Sequence, residues 1–389
     1  MASNRVISAD SHAMEPADLW TSRLDAKLRD KAPRVVESSR GYLFSAPGVR
    51  PFPVAGGFGI GKSGDDLKQH LKKGYEAARP SGWDPVERLK DQDVDGVSAE
   101  VIYTTLGMSL FGLDDAELQQ ACFRAYNDWI NDFASHNRKR LYPIALISLE
   151  DPKAGAAELE RCAKLGLRGA MIWGSPPREK PYFMRDYDPF WAAAQELGMP
   201  LSLHVVTGKK ENTAKERPDG RPQRSILDSE GDGRTDAPAP FLLNAMGAVH
   251  SVQKSLSQLI FGGVLDRYPK LKIVSAENDS GWVAHYMYRN DHVYEKFGSM
   301  WDRVGLKLKP SEYVRRNVWC TFQDDMIGPM TWRYFGADNY MWASDFPHAD
   351  STWPNSLSVI KKDFEGIPEE VTRKMTCDNA AKLYRMDLN

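Results

Sequence analysis

The chain has 389 residues, 42% hydrophobic and 27% charged, a balance that excludes intrinsic disorder and a fibrous repeat. Lys and Arg number 51 against 53 Asp and Glu, a formal charge of -2 with no basic stripe, so nucleic acid is not an expected partner. No apolar run reaches the roughly 20 residues of a bilayer span, and the opening MASNRVISAD lacks signal-peptide regions, so a cytoplasmic protein without a membrane partner is expected.

In chain order, short apolar runs predict strands at 5–10, 97–103, 142–147, 168–173, 200–206, 272–277, 317–322 and 340–345. Helical spacing separates them. Leu118, Cys122, Ala125, Trp129 and Phe133 recur every three or four residues, and 151–166, 187–198, 241–268 and 279–297 carry similar stripes. Asp151-Pro152 and Asp188-Pro189 read as an N-cap followed by proline at the first helical position, and Gly166 and Gly198 as stops. Eight strands alternating with helices predict an α/β fold, a parallel (β/α)8 TIM barrel, in one domain over 1–389. Two segments break the alternation and read as insertions after the first and fifth strands: about 38–82, rich in Gly, Pro and Lys, and about 207–240. The second would stand on the catalytic rim, as a lid, a subunit contact or a plain surface excursion. Cys122, Cys162, Cys320 and Cys377 lie far apart and read as reduced, buried thiols.

GGFGIGKS at 56–63 satisfies the phosphate-loop pattern in letters alone. Pro51 and Pro53 precede it and the polar DDLKQHLKKG follows, so neither the buried strand nor the apolar-faced helix that such a loop needs is present.

The first strand ends in ADSHAMEP, where Asp10 and His12, two apart, project to one side. His204 ends the fifth strand in LSLHVV, and Asp345 ends the last in MWASDFPH. A carboxylate after so apolar a run needs a cation or a donor. These four groups, at the ends of strands one, five and eight, would meet on one face of a barrel as metal ligands. Glu277, ending the sixth strand in SAEND, is the candidate proton shuttle, with a salt bridge or a helix cap as the alternative. His348 could reach substrate or hold the last loop, and His250, in AVHSVQKSLSQLIFGG, could face substrate or simply pack. Glu15 could orient the first-strand pair or pair with an Arg. Trp20, Trp173, Trp342 and Trp353 could line an aromatic pocket, with core packing the better reading for each.

Together ADSHAMEP at 9–16, LHVV at 203–206, LDRYPKLKIVSAENDSGW at 265–282 and SDFPH at 344–348 resemble the amidohydrolase superfamily. Within it they resemble the branch that contains aminocarboxymuconate-semialdehyde decarboxylase and the aromatic-acid decarboxylases. The resemblance implies one divalent metal, zinc first and manganese second, on Asp10, His12, His204 and Asp345. Two positions depart from it. Asp10 stands where the familiar decarboxylases have His or Glu, and Glu277 where they have a proton-transferring His. These departures tilt the expectation toward hydrolysis, with Asp345 or Glu277 taking a proton from metal-activated water, on a small aromatic or cyclic amide, ester, lactone or carboxylate. Non-oxidative decarboxylation of a phenolic acid is the alternative, and a non-catalytic metal-binding barrel the third. Relatives imply a homodimer.

Overall fold

The computed structural model describes residues 5–39, 41–208 and 240–387. Among the described residues, eleven strands form two sheets. β1 (Ile7–Ala13), β5 (Ala99–Thr104), β6 (Leu141–Leu146), β7 (Gly169–Ile172), β8 (Leu201–His204), β9 (Ile273–Ala276), β10 (Val318–Phe322) and β11 (Tyr340–Trp342) lie side by side in that order. Every pairing among them is parallel. They are the eight predicted strands, and nearly every position in them is buried, as a sheet covered on both faces requires. The first and last strands close the ring beyond the end of β11: Asp345 N donates to Asp10 O (3.0 Å) and His12 N to Phe346 O (2.6 Å). This is a parallel (β/α)8 barrel, as the alternation predicts.

Helices follow the strands for the expected local reasons. Ala116–Ser135 buries Leu118, Cys122, Ala125, Trp129 and Phe133. Asp151 caps Pro152–Leu165 through the N–H groups of Lys153 and Ala154, and Gly166 ends that helix at φ 99, open to glycine at little cost. Asp188 does not cap its helix. Asp188–Leu197 already includes it, and its carboxylate instead meets Arg267 (2.9 Å) and Arg185 (3.1 Å), two cations that outbid free N–H groups. The four cysteines are free and buried.

The segment after β1 is more ordered than its composition suggests. β2 (Arg34–Ser38), β3 (Gly41–Ala46) and β4 (Val49–Pro53) form an antiparallel sheet, followed by short helical turns. Its next turn packs against the barrel mouth: a Cβ on Gly57 would fall 2.3 Å from Thr105 Cγ2, and Ile60 N donates to Pro347 O (3.2 Å). The GGFGIGKS stretch therefore follows a proline-bearing antiparallel strand and leads into the seven-residue helix Gly64–His70, which is no phosphate-loop context. Of the predicted 207–240 excursion, 209–239 lie outside the described residues. Among the described residues, no helix is long and apolar enough to cross a membrane.

Candidate metal centre

At the C-terminal mouth of the barrel the strand ends bring six titratable side chains together. Asp10 and His12 come from β1. Its register against β5 slips between Ser8 and Ser11, a bulge that re-aims the strand and changes the simple alternation expected there. His204 closes β8, Glu277 follows β9, and Asp345 and His348 follow β11. Glu277 (φ 52) and Asp345 (φ 53) both adopt the left-handed backbone region, uncommon for such residues and often found where structure serves a site.

The distances are short. His12 Nε2 lies 3.6 Å from Asp10 Oδ1, 3.5 Å from Glu277 Oε2 and 3.2 Å from Asp345 Oδ1. His204 Nε2 lies 3.6 Å from Asp10 Oδ1 and 3.3 Å from Glu277 Oε2. In one group the ligand atoms of His12, Glu277, Asp345 and His348, and in a second those of Asp10, His12 and His204, fall within 4.8 Å of one another, with His12 in both. Asp10 Oδ1, His12 Nε2, His204 Nε2, Glu277 Oε2 and both Asp345 carboxylate oxygens are buried without a well-aligned hydrogen bond. So many unmatched buried donor atoms at one point fit a cation, since burial without a partner is costly.

Several other polar atoms of these residues are held. His12 Nδ1 lies 2.6 Å from Thr104 O and His204 Nδ1 3.1 Å from Val205 O. A carbonyl only accepts, so both rings donate from Nδ1, and in the neutral form each turns a bare Nε2 lone pair toward the cluster. Thr321 Oγ1 donates to Asp10 Oδ2 (2.9 Å) and accepts from Glu277 N (2.8 Å), locking two carboxylate-bearing residues with one hydroxyl. His348 Nδ1 lies 3.1 Å from Asp345 Oδ1, and its ring lies over that of His12 at 4.0 Å. Glu15, fully buried, accepts from Thr104 Oγ1 and from the N–H groups of Leu106 (2.9 Å) and Gly107 (3.1 Å), fixing the turn whose carbonyl holds His12.

Burial works to lower the His12 and His204 imidazoles, but the carboxylates win: Asp345, Glu277 and Asp10 hold His12 well above its ordinary range, and Asp10 and Glu277 raise His204. Burial opposes ionisation of Asp345 too, yet His348 and His12 keep its carboxyl far below the usual carboxylate range.

The structure thus gathers Asp10, His12, His204, Asp345, Glu277 and His348. Glu277 is set into the cluster itself. His250 is exposed on the helix Pro240–Phe261 and belongs to neither group. Trp20, Trp173 and Trp342 are buried core residues, whereas Trp353 is half-buried, with Nε1 donating to Asp91 O (3.1 Å). Sequence reasoning missed Asp350 and Asp279, whose outer edges meet solvent at the lip. Desolvation, with Asp345 and Glu277 nearby, pushes Asp350 up to about 7; desolvation and Asp325 push Asp279 up to about 6. Their only signal was position, a few residues past Asp345 and Glu277. Thr321 was missed as well, being one hydroxyl inside a strand.

A buried cluster of imidazoles and carboxylates at the C-terminal mouth of a closed parallel barrel is a metal-competent site at the face where barrel enzymes carry their chemistry. The chain matches the amidohydrolase family model over residues 51–386 and belongs to that family. It is 24% identical over 320 residues to a gamma-resorcylate decarboxylase of Polaromonas sp., covering 77% of this chain and 87% of that one. An amidohydrolase from Mycobacterium avium subsp. paratuberculosis superposes over 100% of both chains, with a TM-score of 0.74 at 22% identity. A dihydroxybenzoic acid decarboxylase from Polaromonas sp., with bound manganese and the inhibitor 2-nitroresorcinol, gives 0.63 at 18% identity, over 98% of this chain and 97% of that one. The solved neighbours share the barrel, and the named activities among these relatives favour decarboxylation over the hydrolysis first expected.

Proposed function

We propose that the chain catalyses the non-oxidative decarboxylation of a small phenolic acid, at a divalent cation held by Asp10, His12, His204 and Asp345 with Glu277 beside them. The observation that carries this is the set of six unmatched buried donor atoms converging between strands one, five, six and eight, in a chain whose relatives include aromatic-acid decarboxylases. The bound cation would supply positive charge to hold a carboxylate and its neighbouring phenolic oxygen. Three carboxylates with two imidazoles make an oxygen-rich donor set, which suits manganese better than the four-coordinate nitrogen and sulfur sites typical of zinc.

Glu277 has the best access to substrate. Its side chain is 21% exposed, whereas those of Asp10, His12, His204 and Asp345 are at most 1% exposed. Its carboxyl group is placed to pass a proton to the ring carbon bearing the carboxylate; the carbon–carbon bond then breaks, its electron pair restores the aromatic ring, and carbon dioxide leaves. His348 would steady Asp345 through their 3.1 Å contact.

Hydrolysis stands as a second reading for one reason: Glu277 adds a third carboxyl group to the donor set, which an anionic substrate must approach. A panel of phenolic acids, amides and lactones separates the two. Carbon dioxide released from a phenolic acid, abolished by chelation and restored by Mn2+, supports decarboxylation; cleavage of amides or lactones without carbon dioxide moves the reading to hydrolysis. We also place the whole chain in one domain and expect a homodimer, for which the exposed Tyr288, Met300 and Trp301 offer apolar surface and which light scattering tests.

A further inference from the structure

We propose that Arg88 is a positioning residue for His12, acting from beneath the cluster; the inference rests on the cation reading above. Arg88 belongs to the helix Pro85–Asp95 and is completely buried. Its Nε donates to Glu100 Oε2 (2.6 Å), its Nη1 donates to His12 O (2.7 Å), and its guanidinium lies 4.5 Å over the ring of Phe346. Gln92 Nε2 donates to the same Glu100 oxygen (2.7 Å).

His12 is thereby held at every polar atom except one. Its N–H donates to Phe346 O (2.6 Å), its carbonyl accepts from Arg88, and its Nδ1 donates to Thr104 O (2.6 Å), which leaves Nε2 alone to face the carboxylates. Phe346, stacked beneath the guanidinium, directly follows Asp345. One planar cation therefore couples the His12 backbone on the first strand to the loop carrying Asp345 after the last.

Stability alone is a weak reason for such a group. A buried ion pair can often be replaced by well-packed apolar side chains without loss, because desolvation cancels the attraction. The fork of a guanidinium reaches a carboxylate and a carbonyl along two edges while its face stacks on a ring, and an ammonium point charge cannot satisfy all three.

The test uses two variants of the full chain, Arg88→Lys and the double variant Arg88→Met with Glu100→Leu, which leaves no orphaned charge. Circular dichroism establishes folding. Calorimetric Mn2+ titration of the chelator-stripped protein and the absorption spectrum of the Co2+-loaded protein report the geometry at His12. Folded variants should bind Mn2+ about 10–100-fold more weakly, the usual cost of losing an outer hydrogen bond to a ligand, and show a displaced Co2+ spectrum. Parent-like affinity with a superposable spectrum in either folded variant overturns the role. Failure of both variants to fold also overturns it, since Arg88 is then a fold residue only. A parent protein that binds neither ion removes the cation reading itself, which distinguishes that failure from this one.

Discussion

Replacing Asp345 with Asn keeps the shape of the side chain and removes one buried charge. Asp345 Oδ1 lies 3.2 Å from His12 Nε2, a separation at which unit charges attract by about 5 kcal/mol at an effective dielectric of about 20. A divalent cation among these same atoms would feel at least that attraction. The amide oxygen retains part of it as a dipole, and removing one of three neighbouring carboxylates relieves some repulsion. A net loss of about 3 kcal/mol remains, or roughly 100-fold in metal affinity at about 1.4 kcal/mol per decade. Calorimetric titration of stripped Asp345→Asn with Mn2+ reads this directly. Asp95→Asn is the matched control: Asp95 is buried too, but it pairs with Ser356 (2.6 Å) and belongs to neither metal-competent group. If Asp345→Asn binds within about threefold of the parent, or if Asp95→Asn weakens binding equally, the cation does not sit against Asp345 and the reasoning fails.

Three further outcomes are expected. The raised imidazoles of His12 and His204 contribute stability to the stripped protein that is full below about pH 6.5 and lost as pH rises through their folded values. Its melting temperature should therefore fall as pH rises above about 6.5 while that of the Mn2+-loaded protein changes less, and loading should release protons; a flat profile for the stripped protein would contradict this. Thr321→Val strands Glu277 N and Asp10 Oδ2, so denaturant melts should show a loss of about 1–3 kcal/mol, with Mn2+ affinity reduced roughly tenfold. Glu15→Ala leaves the N–H groups of Leu106 and Gly107 without their acceptor and should cost at least about 2 kcal/mol in the same assay, with Glu15→Gln losing less because one carbonyl oxygen remains.

The barrel was legible because burial on both faces writes each strand as a continuous apolar run, and a polar residue ending such a run stands out, as His204 and Asp345 do. The antiparallel sheet Arg34–Pro53 was not legible. Its exposed and half-buried positions break the alternation, and Pro51 and Pro53 sit inside its last strand. Glu277 was recognised as a rim carboxylate, but nothing in SAEND announces the positive φ and the Thr321 contact that swing it among the other donors. Arg88 was invisible for a different reason: in PVERLKDQDVD an arginine looks like part of a solvated face, and only the tertiary structure seals it under His12. His250 illustrates the reverse, a histidine near a predicted rim that the helix turns outward.

Closure of the ring by Asp10, His12, Asp345 and Phe346 has a consequence for biogenesis. Ser11 and Ser344, whose hydroxyls touch beneath the cluster, are 333 residues apart, so the two halves of the cup leave the ribosome at opposite ends of synthesis. The earlier strands can pair as they emerge, but the proposed cation site is incomplete until the final strand arrives, and so non-local a contact is slow to form. On the proposed cation reading, metal loading is then a late event that marks a finished chain: one truncated before Asp345 would leave Asp10 and His12 facing an unsealed gap.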